Sequence, residues 1–178
     1  MSRSSSHRVD FVVVGAGIAG ASVAAALAER GSVAVLEMEE HPGYHSTGRS
    51  AALYSAIYGN SVIRALSRAS RPFLFDPPPG LTEHPLVTPR PTLYFAREDQ
   101  LGSLERMRID EDVRTCTKPV DGAGAAAMVP IFRPGYVAAA SLDPTSADLD
   151  VDALHQAFLR RARALGAEVA VGSAVREV

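Results

Sequence analysis

An α/β fold that opens on a βαβ unit is the architecture the first forty residues predict, on three observations. Residues 10–14, Asp-Phe-Val-Val-Val, are β-branched and aromatic between a polar entry and a glycine exit, which reads as a short buried strand. Residues 17–30 are small and helical in pattern, with Leu27 and Ala28 close to an Arg30-Gly31 stop where Gly31 suits a left-handed cap. Residues 33–37, Val-Ala-Val-Leu-Glu, repeat the buried-strand composition. Strand, tight turn, helix and strand in 28 residues make a βαβ unit, with parallel strands and a right-handed crossover expected.

The turn leaving the first strand is Gly15-Ala16-Gly17-Ile18-Ala19-Gly20, which fits G-x-G-x-x-G. Alone the hexapeptide is a weak signal in Gly/Ala-rich sequence. Here it follows a strand, opens a helix, and is answered by Glu37 at the end of the next strand, 20 residues after Gly17. Each part has a task in a Rossmann-like dinucleotide fold. Gly15 permits the tight turn, Gly17 lets the backbone approach a pyrophosphate, and Gly20 lets the helix pack close to the sheet. The amides and positive end of the helix, from Ile18 and Ala19 onward, then face the phosphates. Glu37 can accept both hydroxyls of an adenosine ribose. FAD and NAD present the same ADP half, so the motif leaves the choice between them open.

The elements that follow are more mixed. Residues 61–75 read as a helix that Pro72 should kink or restart, ended by Asp-Pro-Pro-Pro-Gly at 76–80. Residues 92–97 read as a strand, 98–108 as an exposed helix, 121–128 as a turn into a short helix, and 136–141 as a strand. Residues 150–165 form an amphipathic helix with Leu154, Phe158 and Ala162 on one face, Arg160, Arg161 and Arg163 mostly solvated, and Gly166 as its stop. One or two strands are expected in 167–175.

The chain of 178 residues is 47% hydrophobic and 21% charged, enough for a sizeable core. Its net charge of −2 gives no general pull toward nucleic acid or acidic membranes. The N-terminus has no hydrophobic signal core, no stretch is long and apolar enough for a transmembrane segment, and residues 1–8 are expected to be a disordered lead-in. The lone Cys116 excludes an internal disulfide framework and fits a reducing, cytoplasmic location; a passive thiol is favoured over a reactive one. Asp148, Asp150 and Asp152 are expected to cap the helix that follows rather than bind metal, and His155 to be structural. His41, His84 and His155 have no spacing suited to a metal, and none is expected.

Residues 42–59, Pro-Gly-Tyr-His-Ser-Thr-Gly-Arg-Ser-Ala-Ala-Leu-Tyr-Ser-Ala-Ile-Tyr-Gly, resemble the flavin-contacting loop of the FAD-dependent D-amino-acid oxidase/dehydrogenase (DAO) superfamily. The fingerprint GAGIAGAS, the later EHPLVTPRP and the block DPTSADLDVDALHQAFLR carry the same likeness, most closely to bacterial D-arginine dehydrogenase-like D-amino-acid dehydrogenases. The four blocks run from residue 15 to 160. The resemblance implies FAD as cofactor and a DAO/glutathione-reductase-type fold. In outline it implies an FAD-binding unit with flavin loop at 9–80, the start of an α+β substrate-binding region at 81–145, and a return to the FAD domain at 146–178. It also implies that the chain corresponds to an N-terminal part, truncated at its C-terminus.

Residue by residue, the resemblance implies FAD contacts at His45, Ser46, Thr47, Arg49, Ser50, Ala51 and Ala52, and at Val175. Tyr58 matches an active-site tyrosine over the substrate pocket, with a buried structural tyrosine as the alternative. Relatives that prefer basic substrates carry an acidic residue where this chain has Thr92 and a histidine where it has Leu53. Both departures imply neutral or apolar substrates over D-arginine or D-lysine. The implied reaction oxidises the CH–NH2 group of a D-amino acid by hydride transfer from Cα to flavin, giving an imino acid, then an oxo acid and ammonia. The electron acceptor is left open among oxygen, a quinone or another carrier. The Arg and Tyr that bind the substrate carboxylate in relatives have no recognisable counterpart here. A sarcosine- or glycine-oxidase-type flavoenzyme and a non-catalytic nucleotide-binding fragment stand as the alternatives.

Overall fold

The β-branched run after Asp10 and the one after Ser32 form β1 (Phe11–Val14) and β2 (Val33–Leu36), paired in parallel from Phe11 opposite Val33 to Val14 opposite Leu36. The computed structural model describes residues 8–177, so the expected lead-in lies almost wholly outside the described residues. Asp10 ties the two strand entries together: its Oδ2 accepts from the Ser32 amide at 2.8 Å and the Ser32 hydroxyl at 2.7 Å. Between the strands lies α1 (Ile18–Leu27). A third strand, β9 (Glu168–Ala170), joins β2 in parallel and completes the sheet order β1-β2-β9.

The core of this first unit is made mostly of small side chains. Val13, Val33 and Val35 of the sheet pack with Ala24 and Ala25 of α1 and with Ala162 of α6 (Val151–Ala164), flanked by Phe11, Leu27, Phe158 and Val169. Alanines at the contact let the two helices approach closely, which is what the Ala-rich composition achieves here. The amphipathic face expected for α6 is the one buried, with Leu154 and Ala162 inside and Phe158 against the core. Asp150 caps it by accepting from the Ala153 amide at 2.8 Å. Gly166, at φ +93, closes it: its amide donates to Arg163 O and the Ala167 amide to Ala162 O at 3.0 Å. Arg161 pairs with Glu29 just past α1.

Gly31 differs from expectation. It is absent from the left-handed positions, and Ala28 caps α1 in right-handed geometry. Its bareness serves space instead, since a Cβ there would lie 2.8 Å from Asp10 Oδ2.

The second unit is antiparallel. β3 (Leu53–Tyr54), β4 (Val87–Pro89) and β8 (Ala147–Leu149) form one sheet in the order β3-β8-β4. β5 (Thr92–Ala96), β6 (Lys118–Asp121) and β7 (Ala139–Asp143) form another, ordered β5-β7-β6. Around them lie α2 (Ser61–Phe75), α3 (Leu101–Ile109) after one 3-10 turn, α4 (Glu111–Cys116) and α5 (Gly122–Met128). Helix α2 runs through Pro72 without restarting. Pro72 stands near the C-terminal end, and its own carbonyl still accepts from the Asp76 amide at 2.9 Å. The strand expected at 136–141 lies at Ala139–Asp143, because the Tyr136 amide is engaged in a turn to Arg133 O.

The units interleave along the chain. The first takes residues up to Ala52, Pro78–Leu86, and everything from Asp150; the second takes Leu53–Pro77 and Val87–Leu149. The expected division at 9–80 and 81–145 therefore falls elsewhere: Leu53–Pro77 belong with the antiparallel sheets, and Pro78–Leu86 return to the parallel one. Ala52, where the first segment ends, is the one non-glycine residue at positive φ among the described residues, at +50. No helix among the described residues is long and apolar enough to cross a membrane.

Candidate dinucleotide-binding site

The glycine-rich turn is shaped by two hard constraints. Gly15 sits at φ +91, a conformation other residues rarely adopt, and its amide donates to Leu36 O at 2.8 Å. Gly20 lies so close to the turn that a Cβ on it would be 1.9 Å from Gly15 O. This is the close helix–strand packing expected of the third glycine. Gly17 is the N-cap of α1 and has no side chain to cap with. Thr47, from the 41–50 loop, takes that role: its hydroxyl accepts from the Ile18 amide at 2.9 Å. The amides of Gly17, Ala19 and Gly20 have no acceptor among the described residues.

Gly17 and Ala19 border a cavity of about 450 Å³, lined also by Gly15 and Ile18 from the turn and by Glu37 and Met38 beyond β2. Val14 and Leu36 at the strand ends, Gly43–Thr47 of the loop and Ser173–Val175 of the C-terminal segment complete the lining. The C-terminal segment is held by the Ser173 amide, which donates to Glu37 O at 2.7 Å.

Glu37 is 7% exposed, and both its oxygens are engaged by the backbone. Oε2 accepts from the Ala16 amide at 2.7 Å and Oε1 from the Glu39 amide at 3.0 Å. Burial pushes its carboxyl up, but the amides of Glu39, Ala16 and Met38, with His45 nearby, outweigh it and hold the pKa below the ordinary 4.5. The carboxylate is thus ionised in the fold, and each oxygen keeps a lone pair for a further donor.

Of the other residues singled out in the sequence, His45, Ser46, Thr47 and Val175 line the cavity. The His45 Nε2 also pairs with Glu39 Oε1 at 2.8 Å. Arg49, Ser50, Ala51 and Ala52 are outside the lining. The Arg49 guanidinium stacks over the Tyr44 ring at 4.7 Å, and the Ser50 hydroxyl reaches back to Thr47 O. In the second unit, Leu53 and Tyr58 line one apolar cleft of about 290 Å³ with Ile63, Leu66, Leu74 and Leu149. Tyr58 is 74% exposed, so it is not a buried structural tyrosine. Thr92 is half-buried at the start of β5, its hydroxyl 2.9 Å from that of Ser146.

Two features of the site are not visible in the sequence motif. Tyr44, directly after Gly43, and Met38, just past Glu37, line the cavity without belonging to any spacing rule. His155, on α6, is 2% exposed and places Nε2 2.7 Å from Ala16 O. Its distance of 139 residues from Ala16 leaves no local signal for the contact.

Free amides at a helix start and an ionised carboxylate placed 20 residues on, bordering one cavity, suit a pyrophosphate joined to a ribose. Residues 10–178 match the family described as DAO, FAD dependent oxidoreductase. Among solved structures, glycine oxidase from Bacillus cereus ATCC 14579 matches with a TM-score of 0.76 at 22% identity, over 93% of this chain and 48% of that one. The L-α-glycerophosphate oxidase of Mycoplasma pneumoniae, solved with FAD bound, matches with a TM-score of 0.81 at 13% identity, over 94% and 45%. L-proline dehydrogenase from P. horikoshii matches at 0.70 and 22% identity, over 96% and 46%. At these identities the likeness is one of fold, and the chain spans under half the length of each of these structures. The chain belongs to the DAO family of FAD-dependent oxidoreductases, and FAD is its cofactor.

Proposed function

We propose that this chain is the FAD-holding part of an oxidoreductase acting on the CH–NH2 group of D-amino acids. The observation that carries the proposal is the cavity at the start of α1, whose one lining includes both unpaired amides and the Glu37 carboxylate. In this reading Gly17, Ile18 and Ala19 face the pyrophosphate and Glu37 accepts the adenosine ribose hydroxyls. His45, Ser46, Thr47 and Val175 border the rest of the nucleotide. Arg49, Ser50, Ala51 and Ala52 continue the path toward the flavin. The flavin, when bound, supplies the acceptor for the hydride that leaves the substrate Cα. The imino acid so formed is hydrolysed by water to an oxo acid and ammonia, and oxygen, a quinone or another carrier takes up the electrons.

The side-chain preference rests on the second unit. The cleft holding Leu53 and Tyr58 has no charged residue in its lining. Thr92 offers a hydroxyl already engaged with Ser146, not a carboxylate. A guanidinium or ammonium side chain would meet no opposite charge in that lining. In the native gene product carrying this chain, D-leucine or D-phenylalanine should therefore reduce the flavin faster than D-arginine. Stopped-flow bleaching of the flavin band compares them directly, and faster bleaching by D-arginine would sink the preference.

A glycine- or sarcosine-oxidase-type enzyme is the second reading, favoured by the fold match to glycine oxidases from Bacillus cereus and Geobacillus kaustophilus. Including glycine and sarcosine in the same assay separates the two.

The cofactor assignment to this chain alone is tested by incubating residues 1–178 with FAD, desalting, and recording the visible spectrum. Retained flavin bands are expected. A colourless protein would mean that residues beyond this chain are needed to hold FAD.

A further inference from the structure

Ala16 is the buried residue between the first two glycines of the turn, and both of its peptide groups are held from outside the turn. Its N–H donates to Glu37 Oε2 at 2.7 Å. Its carbonyl lies 2.7 Å from His155 Nε2. A carbonyl only accepts, so this nitrogen of the imidazole carries the proton. The Ala16 carbonyl and the Gly17 amide belong to one planar, trans peptide, in which C=O and N–H point in opposite directions. Fixing the carbonyl on His155 therefore fixes the Gly17 N–H pointing away from the imidazole. Gly17 lines the nucleotide cavity, and its N–H has no acceptor among the described residues.

The same imidazole supports the other wall. A Cβ on Gly43 would lie 2.9 Å from His155 Cε1 and 3.1 Å from Nδ1, so the 41–50 loop rests directly on the ring. Gly43 is at φ +81, and its carbonyl accepts from the Gly48 amide at 2.8 Å, which closes the loop that carries Thr47. One side chain on α6 thus bears on two of the chain segments that border the cavity, the glycine-rich turn and the Thr47 loop.

We propose that His155 is a positioning residue for FAD. Through the Ala16 carbonyl it orients the Gly17 amide toward the pyrophosphate, and through Gly43 it sets the position of the Thr47 loop. The inference rests on the reading that this cavity holds the ADP half of FAD. A core histidine with no such role would contribute only volume. The glutamine and leucine substitutions separate the two, because glutamine keeps an N–H donor at similar reach and leucine keeps bulk without one.

The test titrates FAD, and separately ADP, into the apo form of the full chain for wild type, His155→Leu and His155→Gln, following flavin fluorescence quenching and ADP competition. Urea midpoints of the apo proteins are measured alongside. His155→Leu is expected to weaken both FAD and ADP by about tenfold, the scale of one lost buried hydrogen bond, and His155→Gln to recover most of that loss. The Gly17 amide resonance should shift on ADP binding in wild type and respond only weakly in His155→Leu. Equal affinities in wild type and His155→Leu would overturn the proposal. So would a glutamine variant that binds as weakly as leucine at a wild-type urea midpoint. If His155→Leu fails to fold, nitrogen-15 shifts of the wild-type imidazole decide: a proton on Nε2 supports the contact and one on Nδ1 alone overturns it. Wild type that binds neither FAD nor ADP would remove the cavity reading itself, a failure distinct from that of His155.

Discussion

Replacing Gly20 with valine is expected to destroy the dinucleotide site and to destabilise the first unit by on the order of 3 kcal/mol or more. An added Cβ would stand 1.9 Å from the Gly15 carbonyl oxygen and 3.0 Å from its carbon, both main-chain atoms, and 3.4 Å from Val13 Cγ1. A side chain in the way can rotate aside, but here the obstacle is the turn itself. Either α1 moves off β1 or Gly15 leaves its φ of +91, and both change the amides that border the cavity. The denaturation midpoint and the FAD retained after desalting report the two effects. A valine variant with wild-type values of both would mean that the close helix–strand approach is not a requirement of this fold.

The Glu37→Gln substitution is expected to weaken FAD binding and to cost about 1–3 kcal/mol of stability, because one of two buried backbone donors then meets an NH2 group instead of an oxygen. Ala16 and Glu39 each donate to a separate oxygen of Glu37, and an amide side chain offers only one acceptor. The pH dependence gives an independent check. The folded carboxyl titrates below the ordinary 4.5, so its contribution to stability is fully present above that value. It is lost as the pH falls from about there through the depressed folded pKa, where the folded state must take up a proton it resists. Wild type should lose stability in this window more steeply than Glu37→Gln. Parallel acid profiles for the two proteins would show that Glu37 carries no such linkage.

Much of the first unit is legible in the sequence because its rules are local. Strand β1, the glycine turn, α1 and β2 follow one another within 28 residues, and Gly15 and Gly20 are placed by the backbone as the motif requires. The capping of α6 by Asp150 and its stop at Gly166 are equally local. The parts that were not legible depend on partners far away in the chain. Strands β3, β4 and β8 are two or three residues each, and what makes them strands is pairing such as Leu53 with Asp148, not a pattern of their own. Strand β6 contains Pro119 and pairs with β7 from Lys118 opposite Leu142 to Asp121 opposite Ala139, a register no hydrophobic alternation announces. The site divides the same way. The places of Gly15, Gly20 and Glu37 around the turn come from spacing, whereas His155 reaches Ala16 only after α6 has packed on α1.

The interleaving of the two units also fixes the order in which the protein can be finished during synthesis. Every residue of the second unit has been made once Leu149 is added, so its sheets need nothing that follows. The first unit waits. Its sheet is complete only when Glu168–Ala170 arrive to pair with Ala34–Leu36, which were translated more than a hundred residues before. Until then the outer edge of β2 has open amides and carbonyls, an invitation to any other extended chain nearby. The cavity at the start of α1 inherits that delay, since Ser173–Val175 of its lining and the α6 imidazole beneath Ala16 come late in the chain. The last of the cavity lining, Ser173–Val175, thus follows Leu149, the last residue of the second unit, in the chain.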